Sequence, residues 1–356
     1  PLLISCRNFL LNFILHQVLL FTYIYILIVS QVYISIQKKS IDKNYNFYQW
    51  ILYRFTINFT KTEPPFFLHQ NKISLIIIFK YSFILFPGGF FLMIKLIATD
   101  IDGTLVKDGT LMINPEYMTV IEQLTQKGIL FVVCSGRQFS SEKKLFASIK
   151  DKLLYISDGG TVVRTPNEIL KTYPMSDELW KNMYQMVKEK LPSCDCFAAT
   201  PDYCFAEDGG SQMFHWLRDS YGFEMKEIDD LSKLESKDII KFTIYHPTAC
   251  EEMCTPLFIP SWKEKAQLAV AGKEWVDCNA LGVSKWTAIS FLMEKYQLNA
   301  DEICCFGDNL NDIEMLKNAG TSYAVSNARP EVIEAAKSTC APYWESGVLE
   351  VLKSFL

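Results

Sequence analysis

From Ile94 onward the chain alternates between short apolar runs and longer segments whose apolar residues recur every three or four positions. Ile94-Lys95-Leu96-Ile97-Ala98-Thr99 is a mostly apolar run that reads as a strand buried in a sheet, and it ends in Asp100-Ile101-Asp102-Gly103-Thr104. A helix is predicted next, with Asn114 as N-cap, Pro115 at the first helical position, Tyr117, Ile121 and Leu124 on one face, and Gly128 as the stop. Ile129 to Cys134 reads as a second buried strand leading into Ser135-Gly136-Arg137. Leu153 to Ile156 reads as a third, leading into Ser157-Asp158-Gly159-Gly160. The same alternation returns near the end of the chain. Ser284 caps a helix running to about Tyr296, Ile303–Phe306 is a strand, Gly307-Asp308 a turn and Asn309–Leu316 a helix, before a strand at Tyr323–Val325 and a helix from Pro330. Strand and helix in alternation predict an α/β fold with a doubly wound parallel sheet.

Between about Ser176 and Asp277 the pattern changes. An amphipathic helix carries Leu179, Met183, Met186 and Val187, and it is followed by strand-like pieces such as Ile239–Tyr245 and by Pro-containing loops. The segment is too long to be a loop of a compact domain, so an inserted α+β domain acting as a lid is expected. The predicted division is a core of 93–175 and 278–356 with an insert of 176–277.

Residues 1–92 are a different kind of sequence. They hold eight Lys/Arg against two Asp/Glu, leaving 27 against 38 for residues 93–356. Between Arg7 and Lys38 lies an apolar run without Asp, Glu, Lys or Arg, long enough to span a bilayer as a helix. The run Ile73 to Leu92 is weaker, being broken by Lys80 and Pro87-Gly88-Gly89, and the lack of Ala before Ala98 argues against a cleavable signal peptide. Composition favours another origin: no Met before Met93, no Ala, and a dominance of Phe, Ile, Leu, Tyr, Asn and Lys, the residues of A/T-rich codons. The expectation is translated upstream DNA with Met93 as the natural start, a membrane segment being the alternative. No membrane association follows if Met93 is the start.

The acidic balance of residues 93–356 argues against a nucleic-acid surface, which needs clustered Lys/Arg. It leaves room for a small anionic substrate held through a metal. Eleven cysteines, scattered and odd in number, point to a reduced cytoplasmic protein rather than a disulfide scaffold. Cys194-Asp195-Cys196 with Cys204, and Cys250 with Cys254, lack a second pair at zinc-site spacing.

In open parallel sheets ligands bind beyond the carboxyl ends of the strands. Polar residues collect there: Asp100 and Asp102 after the first strand, Ser135 after the second, and Asp308, Asn311 and Asp312 after a late one, with Lys285 opening a helix. Two carboxylates at i, i+2 repel one another unless a cation lies between them, and Mg²⁺ with oxygen ligands suits that role. Asp100, Asp102, Asp308 and Asp312 are the expected metal residues. With the metal offsetting anion–anion repulsion, Asp100 can act as nucleophile toward phosphorus, and Asp102 as general acid and base. Gly103 and Thr104 are expected to turn the backbone so that amides face the phosphate. Ser135 with Gly136 offers a hydroxyl and amides, Lys285 a compact positive charge, and Asn311 a contact to substrate or to the metal shell. Arg137 reads equally as a phosphate ligand or a structural salt bridge. Blander readings exist for each residue alone: turn carboxylates, a capping serine, or an acid in a first helical turn for Asp312.

Asp100-Ile101-Asp102-Gly103-Thr104-Leu105, Ser135-Gly136-Arg137, Lys285 and Gly307-Asp308-Asn309-Leu310-Asn311-Asp312 resemble, in order, the motifs of the haloacid dehalogenase superfamily. The large insert between the second and third motifs, Val283-Ser284-Lys285, Asn327-Ala328 and Ser346-Gly347-Val348 resemble its Cof-like branch. The resemblance implies a Rossmann-like core with an α+β cap, and a cytosolic Mg²⁺-dependent hydrolase of small phosphorylated metabolites, often sugar phosphates, with the cap selecting substrate. One departure is Gly159-Gly160, where the family commonly has Asn-Gly, so an Asn contact to phosphate or cap is expected to be missing.

Phosphatase is the leading expectation, acting on a small phosphate ester. A phosphomutase is the alternative, because it needs the same Asp100 and Asp102. A P-type ATPase is disfavoured, since that class has Thr in place of Asp102. From another class, the chain is read as an idle metabolite sensor or a membrane-tethered binding protein, against which the intact acidic site argues. Oligomeric state and physiological substrate are silent.

Overall fold

The computed structural model describes residues 94–235 and 238–356. The expectations about residues 1–92 and the start at Met93 lie outside the described residues. Among the described residues no helix is long and apolar enough to cross a membrane, and the cysteines are free thiols.

The apolar runs become strands β1 (Leu96–Thr99), β2 (Leu130–Cys134) and β3 (Leu154–Ser157), followed by β4 (Val162–Arg164) and β5 (Ile169–Thr172). Six strands then form a separate sheet: β6 (Asp195–Ala199), β7 (Cys204–Ala206), β8 (Met225–Glu227), β9 (Lys241–Tyr245), β10 (Ala266–Ala271) and β11 (Trp275–Ala280). β12 (Ile303–Gly307), β13 (Thr321–Val325) and β14 (Ser338–Cys340) return to the first sheet, whose order is β14-β13-β12-β1-β2-β3-β4-β5.

From β14 to β3 every pair in this sheet is parallel, as the alternation predicts. β4 and β5 are antiparallel, a departure from a wholly parallel sheet. Their shortness and the polar, partly exposed face of β5 hid them from the apolar-run criterion. Hydrophobic burial fixes the centre: Leu96, Ile97 and Ala98 of β1 and Cys304, Cys305 and Phe306 of β12 are fully enclosed. Tyr117, Val120, Ile121 and Leu124 of helix Glu116–Gln126 are buried with this core. Its start is close to expectation, since Asn114 Oδ1 accepts from Glu116 N at 3.0 Å, and Gly128 beyond its end takes φ +86°.

The chain leaves β1 toward β2 on one side and comes back at β12 on the other, so the switch point lies between β1 and β12. The inserted sheet runs β10-β11-β9-β6-β7-β8, mostly antiparallel, with helix Asp177–Lys190 against it. Ser176 Oγ caps that helix by accepting from Leu179 N at 3.3 Å. β11 continues to Ala280, past the boundary at 277 read from the sequence.

Candidate active site

Asp100 and Asp308 each follow one of the two strands that flank the switch point, which brings residues far apart in sequence to one place. The ladder continues one residue past β1, Asp100 N donating to Phe306 O at 3.0 Å. Lys285, at the start of helix Lys285–Tyr296, reaches from the side. Its Nζ lies 2.5 Å from Asp100 Oδ1 and 2.6 Å from Asp312 Oδ1, and all three residues are buried. Ser284 caps this helix, accepting from Thr287 N at 3.2 Å, as the sequence predicts.

Asp100, Asp308 and Asp312 form one acidic group, each offering a carboxylate oxygen within 4.8 Å of the others. Within it Asp312 is occupied on both sides: Oδ1 by Lys285, and Oδ2 by the amides of Asp308 at 3.0 Å and Asn309 at 3.1 Å. Its first-turn position is thus also a cap for the loop that carries Asp308. Asp308 Oδ1 accepts from Thr104 Oγ1 at 2.9 Å. Gly103 takes φ +78°, and a Cβ there would stand 2.2 Å from Asp308 Oδ2, so this glycine clears the space that Asp308 fills.

Electrostatics follow from this enclosure. Burial, offset by Lys285 and reinforced by Asp312 and Asp102, pushes Asp100 up to about 7. Burial followed by Asp100 and Asp312 pushes Asp308 up to about 9. Lys285 is held above its ordinary range: burial opposes its charge, but the two carboxylates it touches more than compensate.

Asp102 lies elsewhere than expected. Its carboxylate is not part of the acidic group but is gripped by Arg137, with Nε 2.7 Å from Oδ2 and Nη2 2.5 Å from Oδ1. The repulsion anticipated between Asp100 and Asp102 is relieved by two separate cations, Lys285 for one and Arg137 for the other. A bidentate guanidinium offers a planar carboxylate geometry that a shared ion does not. Arg137 itself makes the salt bridge: the other hydrogen bonds of its guanidinium go to Ser141 Oγ at 3.2 Å and Thr110 O at 2.9 Å. The expected amides of Gly103 and Thr104 are turned into their own loop, donating to Val106 O and Ile101 O. Gly103 and Thr104 therefore serve Asp308 rather than an exposed amide cradle.

Ser135 is buried, and its Oγ accepts from Arg137 N at 3.1 Å. Asn311 Oδ1 is buried without a hydrogen-bond partner among the described residues, an acceptor left unpaired next in sequence to Asp312. Gly136 neighbours the inserted sheet, 3.7 Å separating the position of a Cβ from Asp277 Oδ2.

Several residues escaped the sequence reading. Asp158, with φ +52°, reaches Lys241 of β9, so the contact expected to be lost at Gly159-Gly160 is made by the residue before them. Tyr221 donates its hydroxyl to Asp108 and lies under Arg137, 4.9 Å from guanidinium carbon to ring centre. Asn327 ties the Asp100 loop down, donating to Gly103 O at 2.8 Å. Asn327 and Asp158 stand in stretches quoted from the sequence and Lys241 in the strand-like run Ile239–Tyr245, but nothing local shows their partners; Tyr221 and Asp108 are single residues in unpatterned segments.

Comparison with known proteins agrees with this architecture. A family model described as haloacid dehalogenase-like hydrolase matches residues 97–352. The chain is 28% identical over 275 residues to an Escherichia coli protein, 5-amino-6-(5-phospho-D-ribitylamino)uracil phosphatase YbjI, covering 74% of this chain and 96% of that one. A crystal structure from Eubacterium rectale is 75% identical, covers 74% of this chain and 100% of its own, and superposes with a TM-score of 0.68. The sugar phosphatase BT4131, of subclass IIB, shares the fold with a TM-score of 0.63 at 22% identity, over 73% of this chain and 98% of its own. The chain belongs to the haloacid dehalogenase-like hydrolases.

Proposed function

We propose that this chain is a Mg²⁺-dependent cytoplasmic phosphatase that hydrolyses small phosphorylated metabolites, of the sugar or sugar-alcohol phosphate class, through an aspartyl-phosphate on Asp100. The observation that carries the reading is the buried Asp100 carboxylate, held on one oxygen by Lys285 and facing Asp308 within one acidic group. Relatives named as phosphatases of a phosphoribityl compound and of sugars support the substrate class.

The residues present fit Mg²⁺. Three carboxylates converge, two of them carry protons more tightly than an ordinary carboxyl, and Asn311 presents an orphaned buried oxygen. Oxygen ligands of this kind suit a hard cation. Asp100 and Asp308 would hold it, with Asn311 toward its waters and Asp312 fixing Asp308 and Lys285. When bound, the ion neutralises charge between the carboxylates and the phosphate and polarises the phosphoryl group.

Asp100 attacks phosphorus with its free oxygen while Lys285 fixes the other. The bond from phosphorus to the leaving oxygen breaks, and Asp102 delivers its proton to that oxygen. Asp102 then takes a proton from water as the water oxygen attacks phosphorus, which returns the Asp100 carboxylate and frees inorganic phosphate. Both Asp102 oxygens accept from Arg137 before substrate arrives, so Asp102 carries the proton on an oxygen that the guanidinium releases while the other stays fixed, and the Ser135 hydroxyl donates to a phosphoryl oxygen. The inserted sheet and its helices, from Ser176 to Ala280, form the cap that covers the leaving group. Water reaching the phosphoenzyme distinguishes this reading from a phosphomutase.

Release of phosphate from an aryl phosphate by the purified protein in Mg²⁺ is the test. Asp100→Asn is expected to abolish turnover; retained activity in that variant overturns the assignment.

A further inference from the structure

The loop Ser135-Gly136-Arg137 has its three carbonyls engaged in two different ways. Ser135 O accepts from Gly159 N at 2.9 Å and Arg137 O from Asp158 N at 2.8 Å, both bonds to the turn after β3. The carbonyl between them, Gly136 O, accepts instead from Lys241 Nζ at 2.8 Å, a side chain of β9 in the inserted sheet. Lys241 is 2% exposed, with Asp158 Oδ1 at 2.9 Å and Asp277 Oδ2 at 3.9 Å. A buried ion pair of this kind is weak evidence for stability, because apolar residues of similar volume often do as well. The pair calls for another explanation.

The peptide unit that carries Gly136 O also carries Arg137 N, and that N–H donates to Ser135 Oγ. An ammonium on the carbonyl oxygen draws electron density along the peptide and strengthens the N–H as a donor, as in any polarised hydrogen-bond chain. With Ser135 Oγ accepting there, the proton of the hydroxyl remains for a different acceptor. We infer that Lys241 is a positioning residue: acting through the Gly136–Arg137 peptide, it sets the Ser135 hydroxyl as donor to the phosphoryl group and couples that setting to the seating of the inserted sheet. The inference rests on the proposed role of Ser135 as a phosphate ligand.

The test uses the full chain and Mg²⁺-dependent hydrolysis of an aryl phosphate. Asp158→Asn keeps the ammonium on Gly136 O and is expected to stay within about threefold of the parent in kcat/KM. Lys241→Met combined with Asp158→Asn removes the donor together with the fully buried charge beside it, leaving the partly exposed Asp277 carboxylate on Thr243 Oγ1, with an expected loss of about tenfold. Lys241→Gln combined with Asp158→Asn supplies a neutral donor and is expected to recover part of that loss. Placed in a Ser135→Ala background, the Met pair is expected to cost nothing further. A tenfold loss that persists without the Ser135 hydroxyl, or a Met pair as active as the parent at an unchanged melting temperature, overturns the inference. If Ser135→Ala alone leaves kcat/KM untouched, the phosphate role of Ser135 is what has failed, and the inference falls with it. If the Met pair does not fold, the Gln pair decides in the same background.

Discussion

Arg137 holds Asp102 through two hydrogen bonds, one to each carboxylate oxygen, 2.7 and 2.5 Å long, with the guanidinium buried and the carboxylate partly open to solvent. Lysine cannot reproduce that fork. Arg137→Lys is therefore expected to lower kcat by about tenfold to a hundredfold with little change in KM, because proton transfer depends on where Asp102 stands. Steady-state kinetics check the assignment: a raised KM at unchanged kcat would show that Arg137 contributes to binding instead.

Lys285 sits between Asp100 and Asp312 with all three buried. Removing one member of such a cluster leaves uncompensated charge, so Lys285→Met is expected to destabilise the fold by about 3–5 kcal/mol in the absence of metal. Denaturant unfolding measures it. A loss under about 1 kcal/mol would mean that the carboxylates take up protons and relax without cost.

Gly103 leaves no room for a side chain beside Asp308. Gly103→Ala combines a left-handed backbone with a displaced carboxylate, and an expected cost of about 1–2 kcal/mol accompanies a weaker dependence on Mg²⁺. The midpoint of a Mg²⁺ titration of activity is expected to rise at least about tenfold, reflecting a shifted ligand. An unchanged midpoint would place Asp308 outside the metal site.

Stability and metal are linked through pH. In the metal-free chain Asp100 rises to about 7 and Asp308 to about 9, from 3.8. Both therefore bind protons more tightly folded than unfolded. Their contribution is greatest below the unfolded value near 4 and is lost as pH climbs toward about 9. Mg²⁺ competes with those protons, so its stabilising effect grows as they leave. The rise in melting temperature on adding Mg²⁺ is expected to be larger at about pH 8.5 than at about pH 6. A larger rise at the lower pH would contradict the acidic group as the binding site.

Much of this site was legible in the chain because its parts are local. A buried strand followed at once by a polar turn can be read wherever it occurs, and β1, β2 and β12 were found that way, each with its Asp or Ser in place. The helix cap at Ser284 was likewise visible, and it places Lys285 at a first turn. The hairpin β4–β5 was not, since strands of three and four residues are too short for a periodic pattern to show.

By itself the sequence determined the α/β alternation, the inserted segment and the residue types available to the chemistry, because periodicity and capping act over a few positions. Only the tertiary structure decided which cation meets which carboxylate. Lys285 and Asp100 are 185 residues apart, and Lys241 reaches Gly136 across 105. Such pairings depend on how two sheets and their helices pack, and on which buried charge finds a partner at least desolvation cost. No local pattern encodes that choice.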